Sequence, residues 1–326
     1  NYNFIMSYRK NFKLEGVIPA TLLSFNEDLS IDEIETRKHI NFCASTNGIS
    51  AITVNGHSSE IYACNFEEQK RILNLSLDEI GDKVPIINGV YSDGSIEAAK
   101  IAKMSQDLGA SALLCFPPQS MSMGGHLRPE MAIEHFKRIA DVTNLPLICF
   151  NYPASGNLSY PFDTLLKLFD TIPTIQAIKD WCNDPMLHEK HIRVFQNLSR
   201  PVNVLTTHSA WLMSSLVMGA NGLLSGAGSV ISDLQVALFN AVKSNDISKA
   251  KKINDSIFPL VQLFYKPPFL DMHNRMKETL VLLNRIEKAF VRPPLMKLPL
   301  DEIEALRKVI KQINLTEHSK VFNAAE

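Results

Sequence analysis

Short apolar runs recur along this chain at nearly even intervals, each followed by a stretch with helical period. Residues 16–23, 49–55, 85–90, 112–116, 146–151, 174–180, 202–206 and 222–225 read as strands. They are apolar throughout instead of alternating with polar residues, the pattern of strands covered on both faces in a parallel sheet. The intervening segments carry helix signals. Ser30-Ile31-Asp32-Glu33 reads as a capping box that opens a helix to about Thr46, and Asn65-Phe66-Glu67-Glu68 caps the next in the same way. Residues 95–108 read as a helix, and Pro129 marks the first turn of another over 130–142. Further helices are predicted from Pro161 and over 208–218 and 231–242.

Eight strand–helix units predict an α/β fold, a (β/α)8 TIM barrel with its site at the C-terminal ends of the strands. An open doubly wound sheet is the alternative. The count disfavours it, as does the lack of a G-x-G-x-x-G after the first strand. From about Ser244 the strands stop. Residues 246–264, 270–290 and 301–313 read as three amphipathic helices, broken by Pro267-Pro268 and Pro293-Pro294. The predicted organisation is an N-terminal arm over 1–15, a barrel over 16–243 and a C-terminal three-helix extension over 244–326.

Composition changes this picture little. The 326 residues are 45% hydrophobic, and 33 Lys and Arg stand against 34 Asp and Glu, so nothing suggests a nucleic-acid partner. The five cysteines (Cys43, Cys64, Cys115, Cys149, Cys182) are odd in number and form no C-x-x-C pair. They read as reduced core thiols of a cytoplasmic protein. No apolar run reaches the length of a membrane span, and residues 1–15 lack a signal-peptide apolar region.

The chemistry gathers at the predicted strand ends. Lys179 closes an otherwise apolar strand. Burial there would lower its pKa and free the amine to attack a carbonyl, whereas a lysine that snorkels to solvent would do neither. Other polar residues share that rim: Thr21, the loop Gly56-His57-Ser58-Ser59-Glu60, Asn151-Tyr152-Pro153, and Ser225-Gly226-Ala227-Gly228. Taken singly each has a plain reading, Ser58 and Ser59 as caps of a short helix near Glu60, His57 as a solvated loop histidine. Around one lysine they describe a Schiff-base site.

With these residues in place, the chain resembles the dihydrodipicolinate synthase / N-acetylneuraminate lyase family over roughly residues 16–313. Four segments carry the resemblance. Gly16-Val17-Ile18-Pro19-Ala20 followed by Phe25-Asn26-Glu27-Asp28 is similar to the family's opening. Gly56-His57-Ser58-Ser59-Glu60 resembles its G-[ST]-T-G-E carboxylate loop. Phe150-Asn151-Tyr152-Pro153 resembles Y-N-x-P, and Ile178-Lys179-Asp180 resembles the I-K-[DE] of the imine-forming lysine. Residues 222–225, with Leu224 and Ser225, fit the eighth strand. The resemblance implies an imine between Lys179 and the C2 carbonyl of pyruvate or another 2-keto acid, and a homotetramer or homodimer. It implies no cofactor and no metal, and a substrate contacted by Gly56, Ser58, Ser59, Phe150, Leu224 and Ser225. Ser58 would hold the carboxylate, helped by the backbone N–H groups of His57 and Ser58.

Departures from the family pattern shape the rest. The family's tyrosine is Phe150 here, and the arginine that synthases place after Y-N-x-P is absent, with Ser155 near its place. His57 replaces the first Ser/Thr of the loop, and Ser59 its second glycine. The loop over 117–128 is long and holds Met121, Met123, Gly124, Gly125 and His126. These changes argue against a true dihydrodipicolinate synthase, and the chain resembles more closely the 2-keto-3-deoxy sugar acid dehydratase and aldolase branch. The expected function is therefore a lyase on a 2-keto acid, with His57 or Tyr152 replacing the missing tyrosine as proton relay. The alternative is a non-catalytic keto-acid-binding or regulatory member. A metal-dependent hydrolase is disfavoured by the lack of an H-x-H or a paired His and carboxylate set.

Overall fold

The computed structural model describes residues 12–315; the rest of the predicted arm and the last residues of the extension lie outside them. Eight parallel strands form one sheet: β1 (Gly16–Pro19), β2 (Ile52–Val54), β3 (Ile86–Val90), β4 (Ala112–Cys115), β5 (Leu147–Asn151), β6 (Ile175–Asp180), β7 (Asn203–Thr206) and β8 (Gly222–Ser225). Each pairs with its sequence neighbours, and β1 pairs with β8. The β1–β2 seam closes through the bridges Val17–Ile49 and Ala20–Thr53. The result is the (β/α)8 barrel expected from the eight apolar runs. Backbones crowd at its β1–β8 joint. A side chain on Gly222 would lie 2.5 Å from the Gly16 carbonyl oxygen, so only glycine fits.

The barrel helices are α1 (Glu33–Ala44), α2 (Phe66–Ile80), α3 (Ser95–Leu108), α4 (Pro129–Ala140), α5 (Phe162–Thr171), α6 (Pro185–Phe195), α7 (Leu212–Val217) and α8 (Gly228–Lys243). The capping box at Asn65 and Glu68 forms as the sequence predicts. The one expected at Ser30 does not. Asp32 caps α1 through Glu35, while Ser30 turns back to Asp28. Aspartate competes well for that position because its carboxylate accepts the orphan N–H.

Beyond the barrel come α9 (Ile247–Phe264), α10 (Met272–Leu282) and α11 (Leu300–Gln312). The second of these is shorter than the expected 270–290. Its C-cap Leu283 and Asn284, with positive φ, end it, and the following residues run as turns and extended chain. That segment carries Arg292. Its guanidinium donates to the carbonyls of Leu29 and Ala63 and pairs with Glu68. Val17 of β1, Leu223 of β8, α8 and the three extension helices share one apolar cluster. The extension is therefore packed on the barrel by the same burial that holds the barrel together. Among the described residues, no helix is long and apolar enough to cross a membrane.

Candidate active site

Side-chain alternation along β6 sends its last two residues to opposite faces. Lys179 points into the mouth of the barrel and Asp180 out toward α6. Asp180 is wholly buried. One carboxylate oxygen accepts from Nδ1 of His188 at 2.7 Å and of His191 at 2.8 Å, and the other from Asn151 and the Cys182 N–H. Burial raises the pKa of this carboxyl, but the two imidazole hydrogen bonds outweigh it and hold the group well below its usual range. The network fixes the end of β6 against β5 and α6. Cys182, His188 and His208 also bring ligand-type atoms together there. All four ring nitrogens of the two histidines are already hydrogen-bonded to protein groups, which favours a structural network over a metal centre.

Lys179 has no carboxylate partner among its described contacts. It is 5% exposed, and its Nζ sits 4.2 Å from the centre of the Phe150 ring. Burial alone lowers its pKa from 10.5 to about 7. It opens on a cavity of about 40 Å³ lined by His57, Phe150, Lys179, Trp181, Thr207, Gly226, Tyr265, Met272 and His273. No carboxylate lines this space, so its polar groups are complementary to an anion.

His57 lies among Tyr91, Phe116, Phe150 and Tyr152, all within aromatic contact. One ring edge faces the cavity, and Nε2 hydrogen-bonds the Tyr152 hydroxyl. The two candidate relays thus form one pair, with His57 toward the cavity and Tyr152 behind it. Burial, with the charge of Lys179, lowers His57 to about 3, and burial pushes the Tyr152 phenol far above its usual range. The ring thus lies well below the near-neutral range of a free imidazole, because a caged ring beside an amine disfavours its own charge.

The remaining expected site residues stand in the wall. The Ser58 hydroxyl donates to the Thr21 carbonyl at 2.9 Å, and that of Ser59 to the Gly56 carbonyl at 3.0 Å, so neither caps a helix at Glu60. Ser225 pairs with Ser209 at 2.6 Å. Leu224 is core. None of these, nor Gly56, lines the cavity, whereas His57, Phe150 and Lys179 do.

Sequence reasoning missed Trp181, Thr207, Tyr265, Met272 and His273. The last three come from the extension, which roofs the barrel mouth. A buried ion pair locks it there. Lys277 of α10 meets Glu60, the left-handed residue that ends the Gly56 loop, at 2.6 Å, with both side chains 1% exposed. The second Glu60 oxygen accepts the Arg292 N–H.

Comparison with known proteins agrees with this fold. A sequence model of the Dihydrodipicolinate synthetase family matches residues 13–313. A 4-hydroxy-tetrahydrodipicolinate synthase of Methanopyrus kandleri is 26% identical over 310 residues, 93% of this chain and 98% of that one. The Escherichia coli K12 protein named "Putative 2-dehydro-3-deoxy-D-gluconate aldolase YagE" is 24% identical over 303 residues, 92% of this chain and 97% of that one. The structure of YagE in complex with pyruvate superposes with a TM-score of 0.85 at 23% identity, covering 93% of this chain and 99% of that one. The 4-hydroxy-tetrahydrodipicolinate synthase of Methylacidiphilum fumariolicum SolV gives 0.84 at 20% identity, covering 95% and 99%.

Proposed function

The chain belongs to the dihydrodipicolinate synthetase family and is a lyase of it; from that membership and the surroundings of Lys179 we propose that it cleaves or dehydrates a 2-keto acid through an imine on Lys179. The observation that carries this reading is an amine held at about pKa 7 in a cavity lined by no acid. Nζ attacks the C2 carbonyl, the carbonyl oxygen leaves as water, and the protonated imine draws electrons from a breaking bond at the neighbouring carbons. His57, backed by Tyr152, moves the proton that the family's tyrosine would move. The backbone N–H groups of the His57 loop would hold the carboxylate, as the resemblance implies, while the Ser58 hydroxyl stays on the Thr21 carbonyl and braces that loop.

Two substrate classes compete, a short 2-keto acid and a 2-keto-3-deoxy sugar acid. The absence of a bidentate arginine near Ser155 speaks against aspartate semialdehyde as a co-substrate. The reading extends to a cytoplasmic protein, supported by five buried free cysteines, and to a homodimer or homotetramer, as in the family. Sedimentation at micromolar concentration checks the assembly, and a monomer would contradict it. The nucleophile is tested by incubation with pyruvate and borohydride. The reduced adduct should map to Lys179 and vanish in Lys179→Ala, and an adduct on another lysine refutes the assignment. Phe150 favours a second reading, a non-catalytic keto-acid binder, which would trap pyruvate yet turn over no 2-keto acid.

A further inference from the structure

Five of the nine residues around the Lys179 cavity carry rings and Met272 adds a thioether, while none carries a carboxylate, a carboxamide or a guanidinium. We propose that the 2-keto acid cleaved here carries an aromatic group on C4, which lies against Trp181 and Phe269 at the cavity mouth, so that cleavage releases an aromatic aldehyde. The inference rests on the imine reading, takes the short keto-acid chain over the sugar acid, and names the group at its far end.

Direction is the first support. Side chains two apart along a strand share a face, so Trp181, directly after β6, stands on the same side as Lys179. Its N–H donates to the Asn151 carbonyl at 3.0 Å and keeps it in line with the strand. Rings then lead outward from the amine in an unbroken series. Nζ stands 4.2 Å from the Phe150 ring centre, Tyr152 meets Phe150 at 4.9 Å, and Trp181 meets Tyr152 at 5.9 Å. Phe269, in the turn that leads into α10, meets Trp181 at 6.1 Å. Trp181 is half-buried, and Phe269 and Leu270 are 45% and 49% exposed, so the series ends in apolar surface that a ligand can cover. A ring added to it gains apolar burial and the edge-to-face contact that these rings already make with one another. Met272 offers a sulfur of the kind that packs well at ring edges.

The poverty of hydrogen-bonding groups is the second support. A sugar acid carries hydroxyls on C4 and on every carbon beyond it, and each needs a partner once it leaves water. His57 Nε2 is already bonded to the Tyr152 hydroxyl, and burial beside Lys179 keeps both imidazoles neutral. Thr207 and Tyr265 alone add hydroxyls to the lining. A single hydroxyl on C4, by contrast, is what the cleavage itself consumes. That hydroxyl gives its proton to the His57–Tyr152 pair, the C3–C4 electron pair moves into the protonated imine, and the aldehyde departs. The enamine left behind takes a proton at C3, and the water lost on imine formation returns to release pyruvate from Lys179. No other reagent is needed.

The test is borohydride trapping of the full-length protein with 4-phenyl-2-oxobutanoate, 2-oxooctanoate and 2-keto-3-deoxygluconate at equal concentration, with the Lys179 adduct quantified by mass. The phenyl acid should react at least about tenfold faster than either of the others. Trp181→Ala should lower its advantage over the sugar acid by about tenfold. Phe269→Ser, at an exposed position where folding is not at stake, should lower it by about two- to tenfold. 4-Hydroxy-4-phenyl-2-oxobutanoate should in addition yield benzaldehyde, followed by its ultraviolet absorbance. Three results overturn the inference and leave imine formation at Lys179 standing: adducts without aldehyde release, a sugar acid or octanoate trapped as fast as the phenyl acid, and an advantage unmoved in both variants. No adduct at Lys179 with any of the acids overturns both.

Discussion

Replacing Lys179 by methionine removes the proposed nucleophile, and it should also make the protein more stable below neutral pH. Bringing an amine from 10.5 to about 7 by burial corresponds to a folding penalty of about 5 kcal/mol, an upper figure because side-chain relaxation and water in the cavity reduce it. The sign follows from proton counting. Below about pH 7 the amine is charged in both states, so the folded protein bears the full cost of the buried charge. Between about 7 and 10.5 the unfolded chain holds a proton that the folded protein lacks, and stability rises with pH. Above that range the penalty is gone. Methionine keeps the length of the stem without the charge. Urea denaturation of both proteins at pH 6 and pH 10 measures the difference. Lys179→Met should gain about 2–5 kcal/mol at pH 6 and little at pH 10. A variant that is less stable at pH 6, or whose advantage does not change with pH, would show that Lys179 is not a desolvated amine, and its ease of imine formation would need another cause.

Three further outcomes follow from the site. The rate of pyruvate trapping should rise with pH through about 7, where half of the Lys179 amine is free, against about one part in 3,000 for an ordinary lysine; a rise centred near 10 contradicts the burial argument. Lys277→Met strands Glu60 and should cost about 3–5 kcal/mol by urea denaturation, with part of the loss recovered when Glu60→Gln is added; a loss below about 1 kcal/mol would mean that water reaches the pair. His57→Ala should lower turnover by about 10²–10⁴-fold while the near-neutral pH dependence of trapping persists, since that dependence belongs to Lys179; full activity in both His57→Ala and Tyr152→Phe removes the pair from proton transfer.

The barrel and its buried lysine were legible for a physical reason. Strands covered on both faces must be apolar along their whole length, so a lysine at the end of residues 174–180 stands out against its surroundings. Asp180 was visible only as part of a motif, because its partners His188 and His191 lie on α6 with ordinary helical spacing. The capping of α1 was misread because Ser30 and Asp32 both suit an N-cap, and one residue of register decides which does. The roof was not legible. His273 and Lys277 sit in α10, whose sequence fixes a helix but does not say onto which part of the barrel it docks. The partners are Gly226 and Glu60, far away in sequence, and periodicity carries no information about such pairs. Ser58 shows the opposite limit. Its presence in the loop was evident, but the direction of its hydroxyl, toward Thr21, depends on the approach of β1.

The Lys277–Glu60 pair joins residues 217 positions apart, and this has a consequence for the order in which the protein becomes competent. A chain emerging from the ribosome presents its N-terminal part first. Every barrel strand and Lys179 itself are made before α10 exists. During that interval the amine faces an open mouth, without Tyr265, Met272 or His273 above it, and Glu60 lacks its counter-ion. The lining of the cavity is therefore completed only after α10 has been made and has docked, well after Lys179 itself.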